Sequence, residues 1–321
     1  MELIYNSIFL EHDTGNHPEN KSRLLSLGDL PETEIENGEK YLTLVHTPEY
    51  IEKVKETCKE GGMLDADTIA SRQSYEAAIY AVGATVLASE IGGFALVRPP
   101  GHHAYPNYGS GFCLFNNIAI AVQKLINEGK KVLIFDFDGH LGDGTETIFY
   151  NSNKALFWSL HLFPAFPGTG DADEIGSENG RGYTINVPLP TESGDDVFFE
   201  GINTFLPAAK EFNPDVVAIS AGFDAHQSDF LLRLRLSLNA FYKIGRLISS
   251  NFDNVFATLE GGYNTEFLPK CIYNFLDGIN NEEQRFFEAE TDSWIQTHDE
   301  FEGRISLTRM LLSKYWKSIK G

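Results

Sequence analysis

The chain is poor in sulfur and in positive charge. Its 321 residues include 3 cysteines, 3 methionines and 3 tryptophans. Cys58, Cys113 and Cys271 lie far apart, which leaves neither a disulfide framework nor a Cys-x-x-Cys zinc site. No apolar run is long enough to span a bilayer. The start, Met1-Glu2-Leu3-Ile4-Tyr5, lacks the basic region and apolar stretch of a secretory signal. A cytoplasmic protein without a membrane segment is therefore expected. Lys and Arg total 25 against 46 Asp and Glu, a net charge of −21. That balance disfavours direct contact with nucleic acid and attracts cations. Solubility accounts for the acidity more simply than function does, because net charge bears on solubility and association rather than fold. No Ser/Gly/Pro linker and no internal repeat divides the chain, so a single domain over 1–321 is expected.

Continuously apolar runs at 94–98, 132–137, 155–160, 183–187, 216–220 and 255–259 read as strands covered on both faces. Helical patterns at 74–89, 115–128, 197–211, 238–250 and 265–277 fall between or after them. In the second of these, Ile118, Ala121, Val122 and Leu125 recur at helical spacing. The alternation predicts an α/β fold with a central, mainly parallel β-sheet and helices on both faces. The segment 168–182, rich in Gly and acidic residues, reads as a surface loop. The segment 281–321 reads as polar helical packing with Met310, Leu311, Leu312 and Trp316 as its apolar face.

In such sheets ligands bind beyond the carboxyl ends of the strands, and the reactive residue types collect there. Arg98 leads into Pro99-Pro100-Gly101-His102-His103, two adjacent imidazoles in a turn. They are either proton-transfer groups or structural turn residues. Asp138 and His140 are two apart, so in extended chain both can face one ion. Asp224, beyond another strand, supplies a third ligand. One nitrogen and two carboxylates with an open position suit catalytic zinc. Asp136 and Asp143 flank the ligands and can fix the histidine tautomers. Tyr263, in Glu260-Gly261-Gly262-Tyr263, offers a phenol to a developing oxyanion or is an ordinary loop tyrosine. Its glycines would let it swing toward a substrate. A competing reading takes 132–139 as the aspartyl-phosphate strand of a haloacid-dehalogenase-type phosphatase. That motif continues with Thr, where this chain has His140, and it leaves His102, His103 and Tyr263 without a role.

Together these segments resemble the zinc-dependent histone deacetylase superfamily, with its arginase-like α/β fold. The match runs from the N-terminus to about Asp277. His17-Pro18-Glu19 with Arg23, His46-Thr47-Pro48-Glu49-Tyr50, and Gly111-Phe112-Cys113-Leu114-Phe115-Asn116-Asn117 resemble its signatures, as does Pro167-Gly168-Thr169-Gly170. The flavour is that of class II and prokaryotic members, including acetoin-utilisation-type proteins and acetylpolyamine amidohydrolases. The resemblance implies Asp138, His140 and Asp224 as zinc ligands. It implies His103 as general base paired with Asp143, His102 as electrostatic partner paired with Asp136, and Tyr263 as transition-state donor. Phe112 and Phe166 would wall an acyl-lysine tunnel, with Leu231 at its rim. Asp67 would hold substrate backbone, and the Gly111 carbonyl would accept the substrate amide. A structural potassium ion is implied at Asp136, Asp138, His140, Ser159 and Leu160. The expected activity is hydrolysis of acyl groups from lysine side chains or similar acylated amines. A strict acetylpolyamine amidohydrolase is the alternative, and a non-catalytic acyl-lysine binder is the alternative of another class. Leu141 stands where the family often has a second histidine. Asp229-Phe230-Leu231-Leu232 stands where it often has Asp-Pro-Leu-Gly, and Arg233 and Arg235 follow. These departures bear on substrate choice. The additional His226 is expected to be a rim or satisfied residue.

Overall fold

In the computed structural model, which describes residues 1–320, the expected strands form and three short additions, β1 to β3, appear. In chain order they are β1 (Leu3–Ile4), β2 (Gly62–Met63), β3 (Ile69–Ala70), β4 (Phe94–Ala95), β5 (Val132–Asp136), β6 (Ala155–Leu162), β7 (Thr184–Leu189), β8 (Val216–Ala221) and β9 (Val255–Leu259). β2 and β3 make an antiparallel pair of their own. The other seven form one parallel sheet in the order β1-β4-β9-β8-β5-β6-β7. β5 is buried along its whole length, as is β6, which is why both read as unbroken apolar runs.

The chain runs outward from β5 through β6 to β7, then returns to place β8 on the other side of β5. The order therefore reverses at β5, and the crevice beyond its carboxyl end is where an α/β sheet places a ligand. The helices Ser74–Ile91 and Asn117–Asn127 pack near β4, β9, β8 and β5. Asp195–Phe212 and Ile295–Leu312 pack on β6 and β7. Leu238–Asn251 and Leu268–Ile279 pair with each other. Phe241 and Phe275 of that pair reach Phe137 and Phe223 beside the rim, at centroid separations of 5.2–6.4 Å.

Two features add to the expectations and one is corrected. The helix Pro48–Glu60 was not anticipated; Thr47 caps it by accepting from Tyr50 N–H, and Pro48 opens it. The segment 168–182 is irregular and mostly at the surface, as expected, but it is anchored to the core. Ala172 and Ile175 are buried, Gly170 carbonyl accepts from the His161 ring (2.9 Å), and Gly182 N–H donates to Ile175 (2.6 Å). In the C-terminal helix Ile295–Leu312, Phe301, Ile305, Thr308 and Leu312 face the core, while Met310 is exposed. Spacing of three and four residues explains this: Leu312 follows Thr308, and Met310 falls on the opposite side. Trp316 is buried as expected, its indole N–H donating to Gly182 carbonyl (2.7 Å).

Candidate active site

Two strand ends supply the central cluster. Asp138 and His140 follow β5, and Asp224 follows β8. One ligating atom from each lies within 4.8 Å of the others. The carboxylates are aimed by backbone donors: Gly261 N–H to Asp138 Oδ2 (2.7 Å), His140 N–H to Asp138 Oδ1 (2.8 Å), and Gly139 N–H to Asp224 Oδ1 (2.7 Å). His140 Nδ1 lies 2.8 Å from Asp224 Oδ2 and 3.3 Å from Asp138 Oδ1. Glycine is required around them. A Cβ on Gly222 would fall 1.9 Å from Asp138 Oδ2, and one on Gly261 would fall 2.5 Å from an oxygen of each carboxylate. Burial, then the neighbouring Asp138 charge, raises the Asp224 carboxyl to about 7. Two carboxylates buried this closely against one imidazole are costly without more positive charge. The donor set therefore fits a divalent cation of the zinc type.

Beside the cluster stand the two histidines, ring centroids 4.0 Å apart. His102 Nδ1 meets Asp136 Oδ2 at 3.1 Å, and His103 Nδ1 meets Asp143 Oδ1 at 2.7 Å. Burial alone would lower His102, but Asp138 and Asp136 outweigh it and hold the ring well above its ordinary value. A cation at Asp138 would offset part of that pull. Burial, helped by His102, lowers His103 to about 4. With Nδ1–H given to Asp143, His103 keeps a free Nε2 as an acceptor.

Tyr263 is buried, and its loop is clamped rather than free to swing. Its N–H donates to Asp229 Oδ2 (2.7 Å), and Arg23 Nε donates to Gly262 carbonyl (2.6 Å). The Arg23 guanidinium lies 5.0 Å from the Tyr263 ring centroid, and the Phe112 ring stands edge-on at 5.8 Å. Arg23 and Arg98 share the buried Glu19 carboxylate. Burial raises the Tyr263 phenol well above its ordinary range, so it stays a proton donor.

The remaining expected residues are placed unevenly. Phe166, half-exposed, stands 5.1 Å from the His103 ring, and Phe112 stands on the Tyr263 side. Gly111 has φ 52° and packs so closely on His103 that a Cβ would meet the ring at 2.5 Å. Asp67 is exposed and bound to His17 Nε2 (3.2 Å), whose ring packs edge-on against Phe112 at 4.5 Å. Leu231 is half-buried beside Asp229, and Phe230 is 62 % exposed. Asp136 and Ser159 are register partners across β5 and β6, next to Leu160. Ser159 Oγ bonds His161 Nδ1 (2.9 Å). His226 is buried and satisfied, with Glu288 at 3.1 Å from Nε2 and Ser228 N–H donating to Nδ1 (3.2 Å).

Sequence reasoning assigned no role to Glu260. It is fully buried, and its Oε2 accepts from Gly101 N–H (2.7 Å) and His102 N–H (3.1 Å), pinning the histidine turn. Its position in the glycine motif beyond β9 was the available signal. Asp229, which holds the Tyr263 backbone, carried its signal in keeping the Asp that opens the family's Asp-Pro-Leu-Gly stretch.

Residues 17–279 match the histone deacetylase domain family. The chain belongs to this family. A "Probable deacetylase" of Archaeoglobus fulgidus is 36% identical over 292 residues, covering 82% of this chain and 81% of that one. A "Probable deacetylase" of Methanothermobacter thermautotrophicus is 36% identical over 311 residues, 91% of this chain and 93% of that one. The crystal structure of the HDA15 HD domain superposes with a TM-score of 0.89 at 30% identity, covering 99% of this chain and 98% of the other. The histone deacetylase fold thus extends across the described chain, including the part beyond the matched domain. No helix among the described residues is long and apolar enough to cross a membrane.

Proposed function

We propose that the protein is a zinc-dependent amidohydrolase that removes acetyl or longer acyl groups from lysine side chains or similar small amines. One observation carries the reading: the largely buried Asp138–His140–Asp224 cluster is flanked by a His103–Asp143 pair and by a buried Tyr263. A zinc ion held by those three residues would supply Lewis-acid polarisation of a carbonyl and a more acidic water.

The chain's own groups do the rest. His103, neutral and oriented by Asp143, takes the proton of the attacking water at Nε2. Tyr263 donates its hydroxyl to the oxyanion as it develops, from a loop already fixed by Asp229 and Arg23. A histidine returns a proton to the departing amine. Phe112 and Phe166 hold the methylenes of the substrate, the Gly111 carbonyl accepts its amide N–H, and Asp67 with Leu231 meets the backbone outside. A potassium ion at Asp136, Ser159, Leu160 and the backbone of Asp138 and His140 belongs to the same proposal. Three buried, unpaired cysteines suit a reducing compartment, which favours the cytoplasm.

Acid release by the purified protein tests the reading. The panel holds acetyl-lysine peptides, longer acyl-lysine peptides and acetylpolyamines, with Asp224→Ala as control. Turnover absent from the control establishes the hydrolase, and the ranking names its substrate class. Binding of acylated peptide without turnover would replace the enzyme with an acyl-lysine binder.

A further inference from the structure

Asp143 has two oxygens, and His103 uses one of them. The other, Oδ2, accepts a hydrogen bond of 2.8 Å from the hydroxyl of Tyr105. Tyr105 lies two residues past His103, in the stretch Ala104-Tyr105-Pro106-Asn107-Tyr108. Its backbone is held on both sides. Its N–H donates to Tyr108 carbonyl (2.9 Å), its carbonyl meets His46 Nδ1 (3.0 Å), and Thr47 N–H donates to Pro106 carbonyl (2.9 Å). Asn116 N–H donates to His46 Nε2 (2.9 Å), so Nδ1 carries the proton and gives it to Tyr105. The Tyr105 ring stacks on Tyr108 at 4.2 Å and 16°. The phenol therefore reaches Asp143 from a loop fixed at four points.

We propose that Tyr105 is a positioning residue for the base, its hydroxyl fixing the Asp143 carboxylate so that Oδ1 stays aligned on His103 Nδ1. This rests on the amidohydrolase reading of His103. A carboxylate with one oxygen committed and the other open to water can rotate, and the imidazole it orients then loses alignment. A second donor removes that freedom. Bonds from such outer partners set ligand and base orientation, and losing one costs about tenfold or more in activity. Burial and the Asp143 charge raise the Tyr105 phenol, so it remains a donor near neutral pH.

The test compares Tyr105→Phe, Tyr105→Ala, Asp143→Asn and the Tyr105→Phe/Asp143→Asn double variant. Tyr105→Phe keeps the ring and its stack and removes only the hydroxyl. It is expected to lower kcat about tenfold while KM changes less than about twofold. In the Asp143→Asn background the same change should cost nothing further, because the group it acts through is already altered. The low-field proton resonance of the His103 Nδ1–H, assigned by its loss in His103→Ala, should shift in Tyr105→Phe. Full rescue by Phe of what Ala loses, with that resonance unmoved, overturns the proposal. So does an equal loss of kcat with and without Asp143→Asn. If the wild-type protein turns over nothing, the amidohydrolase reading fails, and the resonance alone still decides whether Tyr105 positions His103.

Discussion

At the carboxyl ends of β5, β8 and β9, Asp138, Asp224 and Glu260 are buried and accept from named backbone donors, His102 N–H among them, and His102 is buried with them. At the amino ends of β8 and β9, a groove of about 800 Å³ is lined by Glu90, Lys124, Glu128, Lys130, Asp215 and Asp253. Both regions carry charge of both signs, and the groove offers ample space. Its pairs are nevertheless of another kind. Lys124 meets Glu90 at 3.2 Å and Glu128 at 2.8 Å, with both carboxylates about half exposed. Water screens such pairs, so each is worth little. At the other end, exclusion of water brings the same residue types together in a set that fits a cation, and burial lowers His103 enough to keep it neutral. Burial and convergence from several strands separate the two ends; composition and cavity size do not.

The comparison is tested hardest by removing a charge from the buried end. Asp224→Ala should abolish metal retention, read by elemental analysis of the purified protein. It should lower turnover by about 10³-fold or more, since the chemistry assigned to the bound ion goes with it. A folded variant, checked by circular dichroism, that keeps both metal and turnover would sink the ligand assignment. Tyr263→Phe should lower kcat by about 10²- to 10³-fold, the scale for one oxyanion donor, with metal content unchanged. A loss of metal instead would place Tyr263 in support of the cluster rather than in catalysis.

How much of this end was legible depended on whether a residue acts within a motif or across the fold. β5 and β6 could be read directly, because strands covered on both faces need apolar residues at every position. β1 could not: Leu3–Ile4 is two residues long and exists only by pairing with Phe94 and Ala95. Asp138 and His140 were singled out by their spacing and Asp224 by its place after a strand, and the fold brings the three together. Glu260 has no spacing signal, because its partners, Gly101 and His102 N–H, come from 158–159 residues away. Tyr105 sits beside the histidine motif, but its aim depends on His46 and on the fold-back to Tyr108. Tyr263 was named as a phenol donor on a loop that Gly261 and Gly262 would let swing, and the loop is instead bonded by Asp229 and Arg23. In the fold Gly261 permits close approach to Asp138 and Asp224.

Between the two extremes lies Glu19, buried and shared by Arg23 and Arg98. Burial alone would raise this carboxyl, but the Arg98 charge and the His12 hydrogen bond outweigh it and hold it well below the ordinary range. A depressed carboxyl contributes stability above its unfolded pKa of about 4.3, lost as pH falls through the lower folded value. Glu19→Gln leaves two guanidinium groups without their anion and should cost about 3 kcal/mol at pH 7. Denaturant unfolding at pH 7 and below pH 4 checks this. The gap between variant and wild type should shrink in acid. A gap of the same size at both pH values would show that packing of the side chain, and not its charge, stabilises the site.

The smallest effect is expected at the exposed end, and it is the one that tests whether the two ends differ at all. Lys124→Met keeps the apolar stem of the side chain and deletes the charge that meets Glu90 and Glu128. Exposed pairs of this kind contribute about 0.5 kcal/mol, so the unfolding midpoint should barely move and turnover should match wild type. Raising salt should erase whatever difference remains, because screened pairs lose their attraction first. A salt-insensitive loss of about 2 kcal/mol would mean that the groove is as dry as the rim. Burial would then not be what separates the two ends of the sheet.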